Sequence, residues 1–176
     1  FSSDNGPAAY GPALKAGSTA GLRGRKTSIF QGGVAVPFIM RWPNKIKAGK
    51  TDSTSVLSTV DFLPTFSALA KADLPADYEA DGENFAILFD DQAFKRSKSL
   101  FWEWRFANDQ HLRVESWGAL AVRSGDWKLV ANQDRTRIAL FDVSKDPFER
   151  NNKAAELPEI TKKMLAMWDD WKISLP

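Results

Sequence analysis

The 176-residue chain contains no cysteine and a single histidine, His111. Without cysteine, a scaffold held together by disulfide bonds is excluded. No apolar run reaches about 18 residues and no signal-peptide pattern is present, so the sequence predicts no membrane span. The net charge is only +2, from 24 basic and 22 acidic residues, whereas nucleic-acid binding usually requires a larger basic excess. The expected class is a soluble globular protein with no nucleic-acid partner.

The first residues read Phe1-Ser2-Ser3-Asp4-Asn5-Gly6-Pro7. We interpret residues 1–3 as the end of a buried strand that brings Asp4 and Asn5 to its carboxyl edge, where open α/β sheets bind ligands. Both side chains offer the hard oxygens that Ca²⁺ or Mg²⁺ prefers. Considered alone, an Asp-Asn-Gly-Pro run is more typical of a plain turn than of a metal site.

A second candidate residue, Lys26, follows a glycine- and alanine-rich loop that covers residues 6–24. A flexible lysine is a compact positive charge suited to an anionic group, although a single loop lysine is more often simply solvated. We interpret Arg23 as structural and Arg25 as solvated. A metal and a cation close together would suit a substrate that carries a sulfate or a phosphate.

The sequence between residues 34 and 91 predicts elements that pack in the core and charged residues on the surface. The apolar run at residues 34–42 predicts a buried strand. Asp61 suits a helix N-cap and Pro64 a first turn, so we predict a helix of about three turns in which Asp61 is a cap and not a catalytic acid. The pair Asp90 and Asp91 is interpreted as solvated.

From Ser99 the pattern changes to short strands, and most of the seven tryptophans lie in this part. The pattern predicts strands over residues 100–106, 118–123, 127–131 and 137–142, and then an amphipathic helix that begins at Pro158. The predicted fold class is α/β: the edge of a large mixed sheet with flanking helices, plus a C-terminal antiparallel four-stranded sheet packed against a C-terminal helix. The predicted division falls between residues 1–97 and 98–176.

The order of the motifs resembles the sulfatases of the arylsulfatase type, within the alkaline-phosphatase-like superfamily. The resemblance covers nearly the whole chain, but only about the last third of the family's pattern. It rests on these segments, in chain order: Ser3-Asp4-Asn5-Gly6, Leu22-Arg23-Gly24-Arg25-Lys26, Gln31-Gly32-Gly33-Val34-Ala35-Val36-Pro37, Trp42-Pro43, Asp61-Phe62-Leu63-Pro64-Thr65, Asp81-Gly82, the run at residues 121–129 and the run at residues 140–147. Gln31 and Ala35 stand where the family pattern has Glu and Arg.

The resemblance implies a calcium-dependent sulfatase that hydrolyses a sulfate ester of a sugar or an aryl alcohol. It assigns Asp4 and Asn5 to the Ca²⁺ site and Lys26 to the sulfate. The family's nucleophile is a formylglycine made from the first residue of C-x-P-x-R or S-x-P-x-R, and this chain contains neither motif. We therefore expect a C-terminal portion of a sulfatase that is inactive alone, that needs the N-terminal part of the same protein as its partner, and that is periplasmic or secreted.

Two alternatives stay open from the sequence. One is a phosphodiesterase or phosphonate hydrolase of the same superfamily, which shares a metal-binding sheet edge. The other is a non-catalytic relative that acts as a binding or structural module, which the departures at Gln31 and Ala35 weakly favour.

Overall fold

The computed structural model describes residues 1–8, 16–105 and 117–175. Contacts divide the chain into two compact units, Phe1–Phe38 with Leu100–Pro176 and, separately, Ile39–Ser99. The second junction lies close to the boundary predicted at residue 97, while the first 38 residues pack with the C-terminal sheet. The predicted division into family domains remains a prediction.

The larger unit is built on four antiparallel strands in sequential order: β1 Leu100–Glu103, β2 Leu120–Ser124, β3 Trp127–Ala131 and β4 Ile138–Asp142. Ser124 pairs with Trp127, so β2 and β3 are joined by a two-residue turn in which Gly125 has φ +57°. Such tight hairpin turns favour positive φ and hence glycine. The predicted four-stranded sheet is confirmed.

Helix α3, Pro158–Ser174, covers one face of this sheet. Met164 and Trp168 pack with Leu120, Leu129 and Leu140, and the Trp171 ring stacks on Phe101 with 5.1 Å between the ring centroids. Because successive strand residues point to opposite faces, alternate residues form a second core on the other side. There Ile29 and Phe30, which precede the short helix α1 (Gln31–Val34), pack on Ala121, Val130 and Phe141. The predicted helix and its apolar face are confirmed.

The smaller unit contains helix α2, Phe62–Ala70, which follows a 3-10 turn at Thr59–Asp61. A second 3-10 turn spans Ala86–Asp90. The predicted helix is confirmed, but Asp61 does not cap the amides of α2. Its buried carboxylate instead closes a capping box by accepting the Ser58 amide, with 2.7 Å between N and Oδ2.

The predicted strand over residues 34–42 is wrong. Val34 ends α1, and the only strand-type pairing of this segment among the described residues is an isolated bridge between Phe38 and Ser2. Ile39 is 60% exposed, so the run is not buried. A strand forms when its backbone has a ladder partner, which hydrophobicity alone does not supply.

Asp90 and Asp91 are solvent-exposed and pair with Lys45 and Lys50, as expected for surface carboxylates. The strand predicted over residues 100–106 ends earlier than predicted, because β1 stops at Glu103 and residues 104 and 105 are not strand. Residue 106 and His111 lie outside the described residues. Among the described helices, none has the length and apolar character needed to cross a membrane.

Candidate functional site

The predicted end of a buried strand at residues 1–3 is wrong: Phe1 is 84% exposed, and Ser2 forms only an isolated bridge with Phe38. Asp4 and Asn5 lie in a bend directly after this bridge. The Asp4 side chain is exposed and Asn5 is half-buried. The Ser3 hydroxyl donates to the Asn5 carbonyl oxygen over 2.9 Å, and the Gly6 amide donates to the Gly33 carbonyl oxygen over 2.8 Å. These bonds fix the backbone on both sides of the two candidate metal ligands.

Lys26 is brought to the same segment by its own backbone. Its amide donates to the carbonyl oxygen of Pro7 over 3.0 Å, and Pro7 is only two residues beyond Asn5. The side chain is half-buried. The structure therefore places the backbone of the predicted anion-binding lysine beside the segment that carries both predicted metal ligands.

Four glycines allow these segments to approach closely: Gly6, Gly24, Gly32 and Gly33, here called the glycine junction. A Cβ on Gly6 would lie 1.9 Å from the Gly32 carbonyl oxygen, and one on Gly33 would lie 1.9 Å from the Ser28 carbonyl oxygen. A Cβ on Gly32 would lie 2.3 Å from the Gly24 carbonyl oxygen. No residue with a side chain fits at these positions without moving backbone, so the junction requires glycine.

Arg25 differs from its predicted solvated state. Its Nε donates to the Ala8 carbonyl oxygen over 2.9 Å, and its Nη2 donates to the Gly17 carbonyl oxygen over 3.2 Å. A guanidinium presents several donors in a fixed fork, so it can join stretches of backbone that a solvated side chain would leave apart. Arg25 thus anchors the glycine-rich segment next to Lys26.

Arg23 is structural, as predicted. Its guanidinium lies 4.1 Å from the Phe30 ring centroid and donates from Nη1 to the Glu149 carbonyl oxygen over 2.8 Å. Packing of a guanidinium on an aromatic face is favourable where the pair is partly desolvated. Arg23 therefore fixes the first end of the loop that contains Lys26.

Lys128 and Glu149 form a buried ion pair that the sequence analysis did not predict. Nζ of Lys128 lies 2.8 Å from Oε1 of Glu149, and both side chains are fully buried. Oε2 of Glu149 accepts the Gln31 amide over 2.6 Å, and Lys128 Nζ donates to Gln31 Oε1 over 3.3 Å. Burial lowers the pKa of Lys128, which the charge and hydrogen bond of Glu149 oppose. The available signal was a lysine inside the otherwise apolar strand run Trp127–Ala131.

The donor set at Asp4 and Asn5 is chemically suited to a hard cation but is only part of a coordination shell. Ca²⁺ takes six to eight oxygens, and no group of three or more His, Cys, Asp or Glu side chains that could hold a metal occurs in the described ranges 1–8, 16–105 and 117–175. A calcium site that includes Asp4 and Asn5 would therefore need further ligands from elsewhere. The grouping of these two residues with Lys26 as a site for an anionic ester beside a metal ion remains a prediction.

Comparison with known proteins identifies the family of the chain. Residues 25–171 match the family model described as N-sulphoglucosamine sulphohydrolase, C-terminal. The chain therefore belongs to the sulfatase family, as the motif resemblance predicted.

Individual relatives are similar to most of this chain. An N-acetylgalactosamine-6-O-sulfatase of Bacteroides thetaiotaomicron is 29% identical over 98% of this chain and 35% of its own length. The solved structure of Ps i-CgsB in complex with k-i-k-neocarrahexaose superposes with a TM-score of 0.78, at 26% identity, over 97% of this chain and 35% of that one. BT4656, solved in complex with its substrate D-glucosamine-2-N,6-O-disulfate, has a TM-score of 0.58, at 25% identity, over 80% of this chain and 28% of that one.

The structure and these matches confirm the predicted α/β fold class with its four-stranded antiparallel sheet and C-terminal helix. The chain spans about a third of the length of the curated relatives it matches. The roles of Asp4, Asn5 and Lys26 remain predictions.

Proposed function

We propose that the whole protein is a calcium-dependent sulfatase, to which this chain contributes the metal ligands Asp4 and Asn5 and the sulfate-binding residue Lys26. Membership of the sulfatase family supports the reaction class. The single observation that carries the site is the hydrogen bond from the Lys26 amide to the Pro7 carbonyl oxygen, which brings the lysine next to the Asp4–Asn5 segment.

Lys26 acts on the charge of the sulfate. When the ester bond breaks, negative charge develops on the sulfate and leaving-group oxygens, and an ammonium fixed beside them lowers the energy of that state. The half-buried position of Lys26 strengthens this effect, because charges interact more strongly where water is partly excluded. Lys26 thus binds the sulfate and also contributes to catalysis.

Asp4 and Asn5 hold the metal through one carboxylate and one amide oxygen. A calcium ion bound there would offset the negative charge of the sulfate oxygens. We propose that the remaining ligands, and the formylglycine that serves the family as nucleophile, are supplied by the N-terminal part of the same protein. On this proposal the chain alone has no turnover.

The proposed substrate is a sulfated carbohydrate, with aryl sulfates as convenient assay substrates. Two relatives support this class, one named for N-acetylgalactosamine-6-O-sulfate chemistry and one solved with a glucosamine disulfate. We further propose a periplasmic or secreted location, which fractionation of cells that express the full-length protein would test.

The decisive experiment compares Lys26→Met with Lys163→Met in the full-length protein, with an aryl sulfate as substrate. Lys163 is an exposed residue of α3 and serves as the matched control. Loss of one electrostatic donor to the transition state costs roughly 100-fold or more in kcat, so K26M is expected to fall by this factor while K163M keeps its activity. Equal activity of the two variants would remove the assigned role of Lys26.

Assays of the full-length protein also distinguish a sulfatase from the phosphodiesterase and from the non-catalytic relative. Faster hydrolysis of a phosphodiester than of an aryl sulfate would place the protein with the phosphodiesterases of the superfamily. No tight calcium site and no hydrolysis of either ester would indicate a non-catalytic relative. Chelator-sensitive turnover by the 176-residue chain alone would refute its proposed dependence on the N-terminal part.

A further inference from the structure

We propose that Glu149 is a positioning residue that holds the loop carrying Lys26 at both of its ends. The loop consists of residues 24–30 and is called the Lys26 loop here. The Glu149 carbonyl oxygen accepts from Arg23 Nη1 over 2.8 Å, just before the loop. Its carboxylate Oε2 accepts the amide of Gln31 over 2.6 Å, just after the loop. This inference rests on the proposed role of Lys26.

Both contacts join distant parts of the chain. Glu149 follows strand β4, and its two partners lie 118 and 126 residues earlier in the sequence. Glu149 alone therefore sets the distance between the two ends of the Lys26 loop. With its ends fixed, the loop has few ways to move Lys26 away from Pro7, to which the Lys26 amide is bonded.

The conformation of Glu149 is unusual for a glutamate. It is fully buried and has φ +55°, in the left-handed region that residues other than glycine, asparagine and aspartate seldom enter. Such conformations persist where surrounding contacts determine them, and they cluster at functional sites. Here the left-handed backbone accompanies a residue whose carbonyl and carboxylate oxygens each accept a hydrogen bond from one end of the loop.

Lys128 makes a buried carboxylate possible at this point. An isolated buried charge is strongly unfavourable, and the Lys128 ammonium lies 2.8 Å from Oε1, which leaves Oε2 to accept the Gln31 amide. Lys128 also donates to the Gln31 side chain over 3.3 Å. Lys128 therefore compensates the buried charge of Glu149, and the Glu149 oxygen that accepts the Gln31 backbone N–H holds the loop.

The roles of charge and of the acceptor can be separated by two double variants. K128M/E149Q and K128M/E149M both replace the buried ion pair with two uncharged side chains. The side chains at residue 149 have similar lengths in the two variants. Only glutamine keeps an oxygen that can accept the Gln31 amide. The two proteins should therefore differ in how firmly the loop is held.

Hydrogen–deuterium exchange of residues 24–31 in the full-length protein is the first measurement. Loss of a hydrogen bond to a buried acceptor is expected to speed exchange in this segment roughly tenfold in K128M/E149M relative to K128M/E149Q. Exchange in β2 should be the same in both. Equal exchange of residues 24–31 in the two variants would overturn the proposal.

The second measurement is kcat/KM on an aryl sulfate, expected to be roughly tenfold lower for K128M/E149M than for K128M/E149Q. Equal values, with different exchange, would also overturn the positioning role. If the unaltered full-length protein hydrolyses no sulfate ester, the proposed function fails, and the exchange comparison alone decides whether Glu149 holds the loop.

Arg23→Met provides an independent test if the buried double variants do not fold. It removes the other contact to Glu149, so exchange near residue 24 should rise relative to Arg150→Met, a change of an exposed neighbour. Equal exchange in these two variants would contradict the proposal.

Discussion

Arg96 and Asp61 form a buried ion pair in the smaller unit, in which Arg96 Nη2 donates to Asp61 Oδ2. The two side chains are 7% and 0% exposed. Asp61 also accepts the amides of Ser58 and Glu83, over 2.7 and 2.9 Å. A carboxylate that appeared from the sequence to be a helix cap thus joins three separate parts of the unit.

Removal of one member of this pair should be strongly destabilising. Asp61→Asn leaves buried Arg96 with only the more distant Glu83 carboxylate, 3.5 Å from its Nη1, as a counter-charge. Breaking a buried pair by removing one partner costs about 3–5 kcal/mol. Chemical denaturation of D61N, beside the exposed control Asp77→Asn, measures the difference in the free energy of unfolding. A loss below about 1 kcal/mol in D61N, a cost typical of surface pairs, would contradict this prediction and show that Glu83 or solvent compensates Arg96.

Glu83 should make stability depend on pH in the acid range. Burial alone would raise its pKa, but hydrogen bonds from Ser97 and from the Lys98 amide, with the charge of Arg96, lower the pKa below the ordinary value of 4.5. A lowered folded-state pKa means that the ionised Glu83 stabilises the fold above pH 4.5, and that this contribution is lost as pH falls through the folded-state pKa.

The measurement compares Glu83→Gln with the unaltered protein by urea unfolding at pH 7 and at pH 3. The variant should be less stable at pH 7, and the difference should shrink at pH 3, where the unfolded state binds a proton at Glu83 more readily than the folded state does. Glu79→Gln, at an exposed position, should show little difference at either pH. A gap between E83Q and the unaltered protein that widens on acidification would refute the assigned direction of the pKa shift.

Replacing a glycine of the glycine junction with alanine should reduce thermal stability more than replacing a glycine in an open turn. Gly33→Ala would place a Cβ 1.9 Å from the Ser28 carbonyl oxygen, so the backbone must move. Gly125→Ala, in the β2–β3 turn, meets nothing within 4 Å and bears only the strain of φ +57°, about 1 kcal/mol. Thermal unfolding should therefore show a larger loss in G33A. Equal losses would mean that the junction relaxes without cost.

The sequence was most informative where the pattern is local. The flanking turn residues predicted β3 over its observed span, and helical spacing predicted the face of α3 that carries Met164 and Trp168. Prediction failed for residues 34–42, because whether an apolar run becomes a strand depends on a partner that its own residues do not specify.

The candidate site divides in the same way. Its residue types and order pointed to Asp4, Asn5 and Lys26. The hydrogen bond of the Lys26 amide to Pro7 and the ion pair of Lys128 with Glu149 depend on chain folding and were not predictable from spacing. The lysine within the apolar run Trp127–Ala131 was a signal for Lys128, but nothing in the sequence identified Glu149 as its partner, because an isolated Glu is most often solvent-exposed.

The calcium assignment yields the last prediction. Asp4→Ala and Asn5→Ala each remove one hard oxygen donor, and Asp4→Ala also removes a negative charge, so both should weaken calcium binding by the full-length protein, Asp4→Ala the more strongly. Isothermal titration with CaCl2 measures the change, and Asp77→Ala is the control for loss of an exposed carboxylate. Unchanged affinity in both site variants would remove Asp4 and Asn5 from the metal site. Lys26 would then need a different partner for its proposed role, because a lysine alone beside a sulfate supplies only one of the charges that the developing anion requires.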